Sequence, residues 1–565
     1  MNDQNSGKPL EDKNKAKKVK NKGEIKAKDT KKLFFSGVIV LTVANLLVKV
    51  IGAFLKVPLQ SILTDTGMGY YSAAYDIYVW FYMISTAGLP VAVSIMISDS
   101  RAKGNFRDAK RIFRVVFTIF LIIGLIGTTL MMLLSGSFAN MYQLSDAKYS
   151  IMAIAPTLFF ICLSSAFRGY FQGHQEMSPT AFSEVIEAVG KLTLGIAFAL
   201  WATKQGYPYH IVAAFTLIGL SIGSACGMLF LLLRKLLFKE SAYNASLGVV
   251  PNETFVTPTA KIIKTLLAIG IPITISSSVM SFTNVIDGMI LSSRLQSLGY
   301  LEEQVSTMFG NYKALAVTMF NLPPSLIYPI SASIVPLLSA AVSGGKNKLV
   351  KDTMNSSLRI CSIIAFPCAF GMSALSYPLL SLLFPSASAA KAAPLLSVLA
   401  PSIFFLSMLS VTNSFLQSHK YQVYPIISMI AGAVVKLISS YVLIGTKGIE
   451  MYGAPIGTFL CYLTTMLLNF FFVAKKIGYI PNIGKIFVKP FISALLCAGA
   501  AYGSYELLGA VLPVSSKLIT IIAIAVAVVV YLVAIFAIKA LTRDDILLLP
   551  KGEKIARVLE KRKLI

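Results

Sequence analysis

Two lysines, Lys49 and Lys56, lie seven residues apart, deep inside the first long apolar segment of the chain. Seven residues are two helical turns, so both side chains lie on one helix face, about 10 Å apart along it. A charge near the middle of a bilayer costs several kcal/mol and normally faces a cavity or a partner. Two ammonium groups on one stripe suit a di-anionic ligand, so we predict a substrate-binding site there. The alternative is that each lysine pairs with an internal acid such as Asp76.

Two further cations, Arg168 and Lys313, fall near the ends of the fourth and eighth apolar segments. A long basic side chain in such a place either reaches back to the membrane interface or contributes to an internal cavity. We include both as assisting residues of the predicted anion site, with Asp76 as a neighbouring acid.

Four more ionisable residues are candidates for coupling transport to an ion. Glu187 and Lys191 lie four residues apart on the fifth segment and are expected to pair along one helix face. Lys436, on the eleventh segment, has no such acid, and its best candidate partner is Asp287 on the seventh. A buried Asp–Lys pair either stabilises the fold or titrates during transport, and both interpretations stay open.

Tyrosines are concentrated in the second segment. Tyr75, Tyr78 and Tyr82 lie deep within it, whereas Tyr70 and Tyr71 lie near its end, where aromatic residues gather at membrane interfaces. Because sugar rings stack on aromatic faces, the three deep tyrosines are candidate substrate contacts.

Signatures of an enzyme are absent from the sequence. It contains no Ser-His-Asp arrangement, no pair of catalytic acids and no phosphate-binding glycine loop, and its six cysteines have neither zinc-binding nor redox spacing. We therefore predict a protein that is not an enzyme and that uses no cofactor or metal.

Fourteen stretches of mostly uncharged residues must carry these side chains. Each has about 20 residues or more, enough to cross the hydrocarbon core of a bilayer. Only 13% of all residues are charged, against about 25% in a soluble domain. We predict an all-α polytopic membrane protein with fourteen transmembrane helices, at 33–63, 69–98, 112–135, 150–173, 180–203, 210–233, 262–292, 308–340, 356–384, 393–417, 424–445, 452–474, 486–509 and 516–541.

The chain matches itself at an offset of 245 residues. Residues 156–192 align without a gap to 401–437, with eleven identical positions out of 37. The match pairs the fourth and fifth segments with the tenth and eleventh. Duplicated bundles with ionisable residues inside their spans are typical of transporters, which bind substrate between the repeats. We predict two pseudo-symmetric six-helix lobes plus two additional C-terminal helices.

Basic residues predict the orientation. Of the 51 Lys and Arg residues, 38 fall in segments on the side of the termini and six in segments on the other side. By the positive-inside rule, both termini are cytoplasmic in a multi-pass protein of the cytoplasmic membrane. The net charge of +26 is thus a topology signal, and nucleic acid is not an expected partner.

The domain prediction follows from these segments. It comprises a disordered basic tail (1–32), an N-lobe (33–234), a cytoplasmic linker (235–261), a C-lobe (262–475), two additional helices (486–541) and a cytoplasmic tail (542–565).

Several motifs resemble one family. The stretches are 49–52 (KVIG), 67–71 (GMGYY), 75–78 (YDIY), 88–94 (GLPVAVS) and 321–336. They look like the polysaccharide-biosynthesis and stage V sporulation protein B branch of the multidrug/oligosaccharidyl-lipid/polysaccharide (MOP) exporters, which includes relatives of the lipid II flippase (MurJ). The resemblance implies two six-helix lobes around a cavity and a lipid-tail groove formed by the two extra helices. It also implies alternating access, driven by ion gradients or membrane potential.

The resemblance also implies roles for individual residues. An Arg of the diphosphate site in lipid II flippases corresponds to Lys49, which keeps the charge but loses the bidentate geometry of Arg. The Arg expected in the second span is absent, with Tyr82 and Met83 in that region. Lys313 lies near the cation expected in the eighth span, and Asp287 falls where some members bind sodium.

The function expected from these observations is flipping of an undecaprenyl-diphosphate-linked cell-wall precursor, either lipid II or a related polysaccharide intermediate. The expected partners are this lipid-linked glycan and membrane lipids, and the expected functional unit is a monomer. One rival is a drug exporter of the same superfamily, and another is a membrane-embedded glycosyl- or acyltransferase.

Overall fold

The computed structural model describes residues 9–238, 256–511 and 513–541. Every regular element in these ranges is helical, as expected for a backbone that must satisfy its hydrogen bonds inside lipid. Most of the predicted linker 235–261 and the predicted tail 542–565 lie outside the described residues.

Seven helices are described in the first half of the chain. They are α1 (Pro9–Thr86), α2 (Leu89–Ala102), α3 (Phe106–Leu133), α4 (Ser135–Met141), α5 (Ala147–Gly173), α6 (Ser178–Lys204) and α7 (Tyr209–Leu237).

The second half has more interruptions. Its elements are α8 (Thr259–Ser297), α9 (Glu302–Gly310), a π-helical turn (Asn311–Ala316), α10 (Val317–Phe320), α11 (Leu322–Ser343), α12 (Asn347–Ala374), α13 (Ser376–Leu383), α14 (Ser386–Leu399), α15 (Ser402–Ser418), α16 (Val423–Ile444) and α17 (Gly453–Ile477). A second π-helical turn (Gly484–Val488) leads to α18 (Lys489–Val511), and α19 (Ser516–Ala537) follows.

Length and hydropathy make the protein polytopic. Ten helical stretches among the described residues are long and apolar enough to cross a membrane, or eleven if α14 and α15, bent by 47°, count as one span. One stretch, Val43–Ala102, covers residues 43–63 of the first predicted span and all of the second, 69–98. The exact count of fourteen stays a prediction.

The chain bends at three places that border the interior. α1 changes direction at Thr64, whose φ of 60° is a strained conformation for a β-branched residue. Gly88 precedes α2, which has a proline in its first turn. The π-helical turn 311–316 interrupts the predicted eighth span, and such turns are frequent at functional sites.

The helix α1 extends back to Pro9, so its backbone covers most of the basic segment 1–32. That segment has eleven lysines and few large apolar residues, so a helix there has little apolar face to bury. Its disorder in solution stays a prediction.

The internal repeat is visible in the helix ends. α5 ends at Gly173 and α15 at Ser418, while α6 begins at Ser178 and α16 at Val423. Both pairs of positions are 245 residues apart, the offset of the sequence match. Separate copies of one helix–turn–helix unit therefore lie in the two halves.

Equivalent turns follow α5 and α15. The Nδ1 atoms of His174 and His419 lie 2.9 and 2.8 Å from the carbonyl oxygen four residues earlier. The next residues, Gln175 and Lys420, have φ values of 61° and 65°. The two histidines thus share a structural role in closing a turn.

Packing centres on two helices. α5 contacts α1, α2, α3 and α7 in the first half, and α15 contacts α11, α12 and α17 in the second. α18 packs against α12, with α19 beside it. α1 contacts α8, α9 and the π-helical turn, so it forms one wall of the space between the halves.

Candidate functional site

A buried ionic network joins α5, α6 and α7. Arg168 donates hydrogen bonds to Glu187 at 2.8 Å and to the Ser183 hydroxyl at 3.2 Å. Lys191 and the Ser224 hydroxyl donate to the other carboxylate oxygen of Glu187 at 2.7 and 3.3 Å. The predicted Glu187–Lys191 pair is therefore present. Arg168, only 7% exposed, belongs to this network and does not extend to the interface.

A second acid completes the network. Glu184, three residues before Glu187 on α6, lies 3.9 Å from the Arg168 guanidinium. Two cations and two carboxylates therefore compensate one another here.

One ion pair crosses between the halves. The Lys313 ammonium, in the π-helical turn 311–316, lies 2.8 Å from Oδ2 of Asp76 on α1. Lys313 is buried and does not extend to the membrane interface. Asp76 is in direct contact with Lys313, and among the described residues it forms no salt bridge with Lys56.

The predicted pair between Lys436 and Asp287 is present. Their charged atoms are 3.1 Å apart, and both residues are almost fully buried. The Ser440 hydroxyl donates to Asp287 at 2.9 Å, and Lys436 donates to the Asn284 side-chain oxygen at 3.3 Å. The pair joins α16 to α8.

Two interior cations have no carboxylate partner among the described residues. Lys56 donates a hydrogen bond to the Thr318 hydroxyl at 2.8 Å. The Lys49 ammonium lies 4.9 Å from the centre of the Tyr328 ring. Thr318 and Tyr328 belong to the second half, so both lysines face across the space between the halves. These are the two lysines that the sequence singled out.

Two neighbouring cavities surround these groups. One of about 430 Å³ is lined by Lys49, Arg168 and the Glu187–Lys191 pair, and one of about 200 Å³ by the pairs of Lys313 and Lys436. Four residues line both cavities: Lys56, Tyr71, Tyr75 and Val79. Lys49, which lines the larger cavity, is exposed.

The tyrosines form a ladder along one face of α1. Ring centres are 5.8 Å apart from Tyr71 to Tyr75, 5.6 Å from Tyr75 to Tyr78, and 5.9 Å from Tyr78 to Tyr82. All four line the larger cavity. Tyr71, expected at the interface, is thus an interior residue. Tyr70 packs edge-on against the ring of His210, the second residue of α7.

The halves meet closely at the Thr64 bend. Asp65 accepts hydrogen bonds from Lys391 at 2.9 Å and from the Ser388 hydroxyl at 2.5 Å. A side chain on Gly69 would overlap the backbone of Ser306. Glycine is required there because two backbones approach directly.

Several polar residues of the site had not been identified from the sequence. Asn284 lies three residues before Asp287, and Ser440 four after Lys436, so helical spacing held a signal for both. Thr318 and Tyr312, which lines the smaller cavity, carried no such signal. Their roles depend on how the two halves meet.

Comparison with known proteins gives two family matches. Residues 34–342 match the family described as "Polysaccharide biosynthesis protein", and residues 313–442 match the family "MatE".

Three relatives come from Bacillus subtilis (strain 168). The uncharacterized membrane protein YabM is 25% identical over 94% of this chain and 97% of its own length. The lipid II flippase MurJ is 24% identical over 78% and 83%. Stage V sporulation protein B is 24% identical over 84% and 92%.

A solved structure shares the fold. The lipid II flippase MurJ in an inward closed conformation superimposes with a TM-score of 0.62 and 17% identity, covering 89% of this chain and 97% of that one. The two proteins thus share one fold. Because the family match spans more than half of the sequence, the chain belongs to the polysaccharide biosynthesis protein family.

Proposed function

We propose that this protein flips an undecaprenyl-diphosphate-linked cell-wall precursor across the cytoplasmic membrane by alternating access. The substrate is lipid II or a related polysaccharide intermediate. The name of one relative, lipid II flippase MurJ, supports this substrate class. The names of YabM and stage V sporulation protein B identify no glycan, so the particular glycan stays open.

The observation that carries the proposal is the charge of the site. The two cavities are lined by six cations and four carboxylates. Each carboxylate has a cationic partner within 4 Å, and the two cations left over are Lys49 and Lys56. A diphosphate diester carries two negative charges, so it matches this excess in sign and magnitude.

The position of Lys56 suggests how an anion links the two halves. Lys56 and Asp76 lie on α1, whereas Thr318 and Lys313 belong to the second half. A diphosphate between Lys56 and Lys313 takes over the bridging role of Asp76. In this scheme, substrate binding replaces one contact between the halves with another and so favours a different arrangement of the lobes.

The tyrosine ladder provides a surface for the glycan. Tyr75, Tyr78 and Tyr82 lie along the cavity that contains Lys49 and Lys56. Aromatic faces contact the apolar faces of sugar rings, and phenol hydroxyls donate and accept hydrogen bonds. The ladder tolerates several sugars, which agrees with a site that holds the diphosphate more strictly than the glycan.

The drug-exporter alternative is supported by the MatE match over 313–442. Cationic drugs favour acidic cavities, and the two uncompensated lysines give this cavity the opposite sign. The transferase alternative finds no support in the activity that the names of one relative and of the solved structure give, which is lipid II flipping.

The proposal includes an orientation with both termini in the cytoplasm. Cysteine-accessibility labelling should then find residues 340–355 inside the cell and 295–307 outside. The reverse labelling pattern would overturn this orientation.

Flipping of fluorescent lipid II in proteoliposomes tests the function. Lys49→Ala and Lys56→Ala should each lower the rate about tenfold or more, because a hydrogen bond to a charged group contributes about 1.5–3 kcal/mol. Lys49→Arg should retain most of the activity, and Lys447→Ala, at an exposed position that lines neither cavity, is the matched control. Full activity of the Lys49→Ala/Lys56→Ala double variant would remove the anion-site hypothesis.

Rescue of a strain depleted of its lipid II flippase then separates the substrates. Growth restored by the wild type and not by the double variant supports lipid II itself. Flipping of another undecaprenyl-diphosphate glycan without rescue would point to a related polysaccharide intermediate. Efflux of a cationic dye with no lipid flipping would support the drug exporter.

A further inference from the structure

Another cavity, of about 760 Å³, lies beside the contacts that join the bend of α1 to the second half. One of its lining residues, Lys391, pairs with Asp65 at 2.9 Å. The hydroxyl of another, Thr307, lies 3.0 Å from that of Thr66. All of its lining residues come from the second half, namely from the α8–α9 connection, α9, the first π-helical turn, α14 and the turn before α17. The cavity is therefore built by one half and lies next to its contact with the other.

This cavity is lined by a buried side-chain amide. Asn311, the first residue of the π-helical turn, is only 2% exposed. Its Oδ1 atom has no hydrogen-bond partner among the described residues. The next two residues, Tyr312 and Lys313, line the smaller central cavity, so one irregular turn supplies side chains to both cavities. A buried acceptor without a partner costs free energy, and a ligand that donates a hydrogen bond to Asn311 removes that cost.

Further planar polar groups and two tyrosine rings line the same cavity. Glu303 and Gln304 are both exposed there. The side-chain oxygen of Gln304 accepts a hydrogen bond from the backbone N–H of Leu301, which leaves its NH₂ group as a donor. Tyr300 and Tyr452 supply the rings. The apolar part of the lining consists of Leu301, Met308, Ala390, Pro394, Leu395 and Met451.

We propose that this cavity binds a neutral saccharide. Carboxylate and amide groups pair with sugar hydroxyls, while tyrosine rings and apolar side chains contact the C–H faces of the sugar ring. Among the described residues that line the cavity, Glu303 is the one carboxylate and Lys391 the one ammonium. Because Lys391 already pairs with Asp65, the cavity offers no excess positive charge, and a diphosphate is better matched by the central cavities.

The identity of the saccharide rests on the proposed function, under which it is the glycan of the lipid-linked substrate. The proposed orientation has residues 295–307 outside the cell, so the cavity lies on the outer side. The second half then holds the glycan there while the diphosphate leaves the central cavities. The same π-helical turn carries Asn311 and Lys313, so it contacts the sugar on one side and the central ion pair on the other.

Saturation-transfer NMR in nanodiscs tests the proposal with N,N′-diacetylchitobiose, a neutral disaccharide. The wild type should give a saturable signal. Glu303→Ala should weaken the affinity about tenfold, because a hydrogen bond to a charged group is lost, and Tyr452→Ala about threefold, because a ring contact is lost. Glu506→Ala and Tyr502→Ala, at exposed positions outside the cavity lining, are the matched controls. No binding by the wild type, or equal losses in the controls, would overturn the proposal.

A diazirine derivative of the same disaccharide locates the site. Photolabelled residues should fall in 300–311 and 390–395, and the labelling should decrease in Glu303→Ala. Labelling confined to 71–82, the tyrosine ladder, would place the saccharide in the central cavity and overturn the proposal. Tighter binding of tetraphenylphosphonium than of the disaccharide, lost in Glu303→Ala, would overturn it in favour of a cationic ligand.

The same measurements separate this site from the proposed function. A protein that flips lipid II and binds no disaccharide would contradict the saccharide site alone. A protein that binds the disaccharide at 300–311 and flips no lipid-linked glycan would contradict the proposed function and support the saccharide site.

Discussion

Lys191 and Lys436 occupy equivalent positions of the internal repeat, yet they obtain their counterions in different ways. Lys191 pairs with Glu187, one turn earlier on its own helix, at 2.7 Å. The position equivalent to Glu187 is Gly432, and Lys436 pairs instead with Asp287 on α8 at 3.1 Å. Both halves therefore have a lysine at this position of the repeat. Its carboxylate comes from the same helix, α6, in the first half and from another helix, α8, in the second.

Packing explains why the acid is absent from the second half. A side chain on Gly432 would overlap the Thr465 hydroxyl and approach the Cys461 carbonyl oxygen, so α16 lies directly against α17. In the first half the glycine is on the other helix, since Gly227 of α7 faces the stem of Glu187. At this pair of equivalent positions, the small residue is therefore on α16 in the second half and on α7 in the first.

The comparison shows how much each ion pair depends on one partner. Glu187 contacts Arg168, Lys191 and Ser224, so it keeps a cation when one is removed. Asp287 has one cation, Lys436, and one hydroxyl, from Ser440. We expect the second half to be more sensitive to loss of its lysine.

The largest expected effect is a difference between Lys436→Ala and Lys191→Ala. Removing Lys436 leaves a buried carboxylate without a cation in direct contact and should lower the free energy of unfolding by about 3–5 kcal/mol. Removing Lys191 should cost about 1 kcal/mol, because Arg168 still compensates Glu187. Denaturant unfolding in detergent measures both. Equal losses would mean that the two pairs are energetically alike.

The next effect is recovery in a double variant. Asp287→Ala and Lys436→Ala should each reduce stability and transport more than the double change, because removing both charges leaves none unpaired. Because the ammonium of Lys436 pairs with Asp287 in the wild type, transport by the wild type should follow membrane potential or pH with little response to sodium. A sodium dependence that disappears in Asp287→Asn would show instead that the carboxylate binds the ion.

A smaller effect is expected at the glycine that distinguishes the halves. Gly432→Ala should lower the free energy of unfolding by about 1–3 kcal/mol, because the methyl group forces α16 away from Thr465. Gly371→Ala, in a helix position with open space around it, is the matched control and should be neutral or stabilising. A neutral Gly432→Ala would show that the helices have room for a side chain there.

The smallest effect concerns a contact outside the membrane. The Tyr300 hydroxyl, between α8 and α9, donates to Glu450 at 2.5 Å, and this hydrogen bond raises the pKa of Tyr300 above its ordinary value. A raised pKa stabilises the fold below the unfolded pKa of about 10, and this contribution is lost as the pH rises through the folded value.

Thermal unfolding in alkaline buffers measures this contribution. The melting temperature of Tyr300→Phe should fall less steeply with rising pH than that of the wild type, whereas Tyr452→Phe, at an exposed neighbouring position, should follow the wild type. Parallel curves for Tyr300→Phe and wild type would show that the Glu450 contact does not contribute.

The sequence by itself determined the class, the duplication and the charged residues of the interior. Long apolar segments require spanning helices because lipid offers the backbone no hydrogen bonds. Lys49, Lys56 and the Glu187–Lys191 pair were identified because a charge in an apolar segment needs a partner or a cavity, and because helical spacing is regular.

Only the tertiary structure decided the partners of Asp76 and Arg168 and left Lys49 and Lys56 without a carboxylate in direct contact among the described residues. Asp76 lies twenty residues after Lys56 in sequence, yet it pairs with Lys313 from the other half, and Arg168 joins the Glu187 network. These pairings depend on the packing between helices, where single glycines such as Gly432 set the spacing. Local sequence patterns carry no information about that spacing, so the two lysines left without a carboxylate emerged only when all the other interior charges had found their partners in the fold.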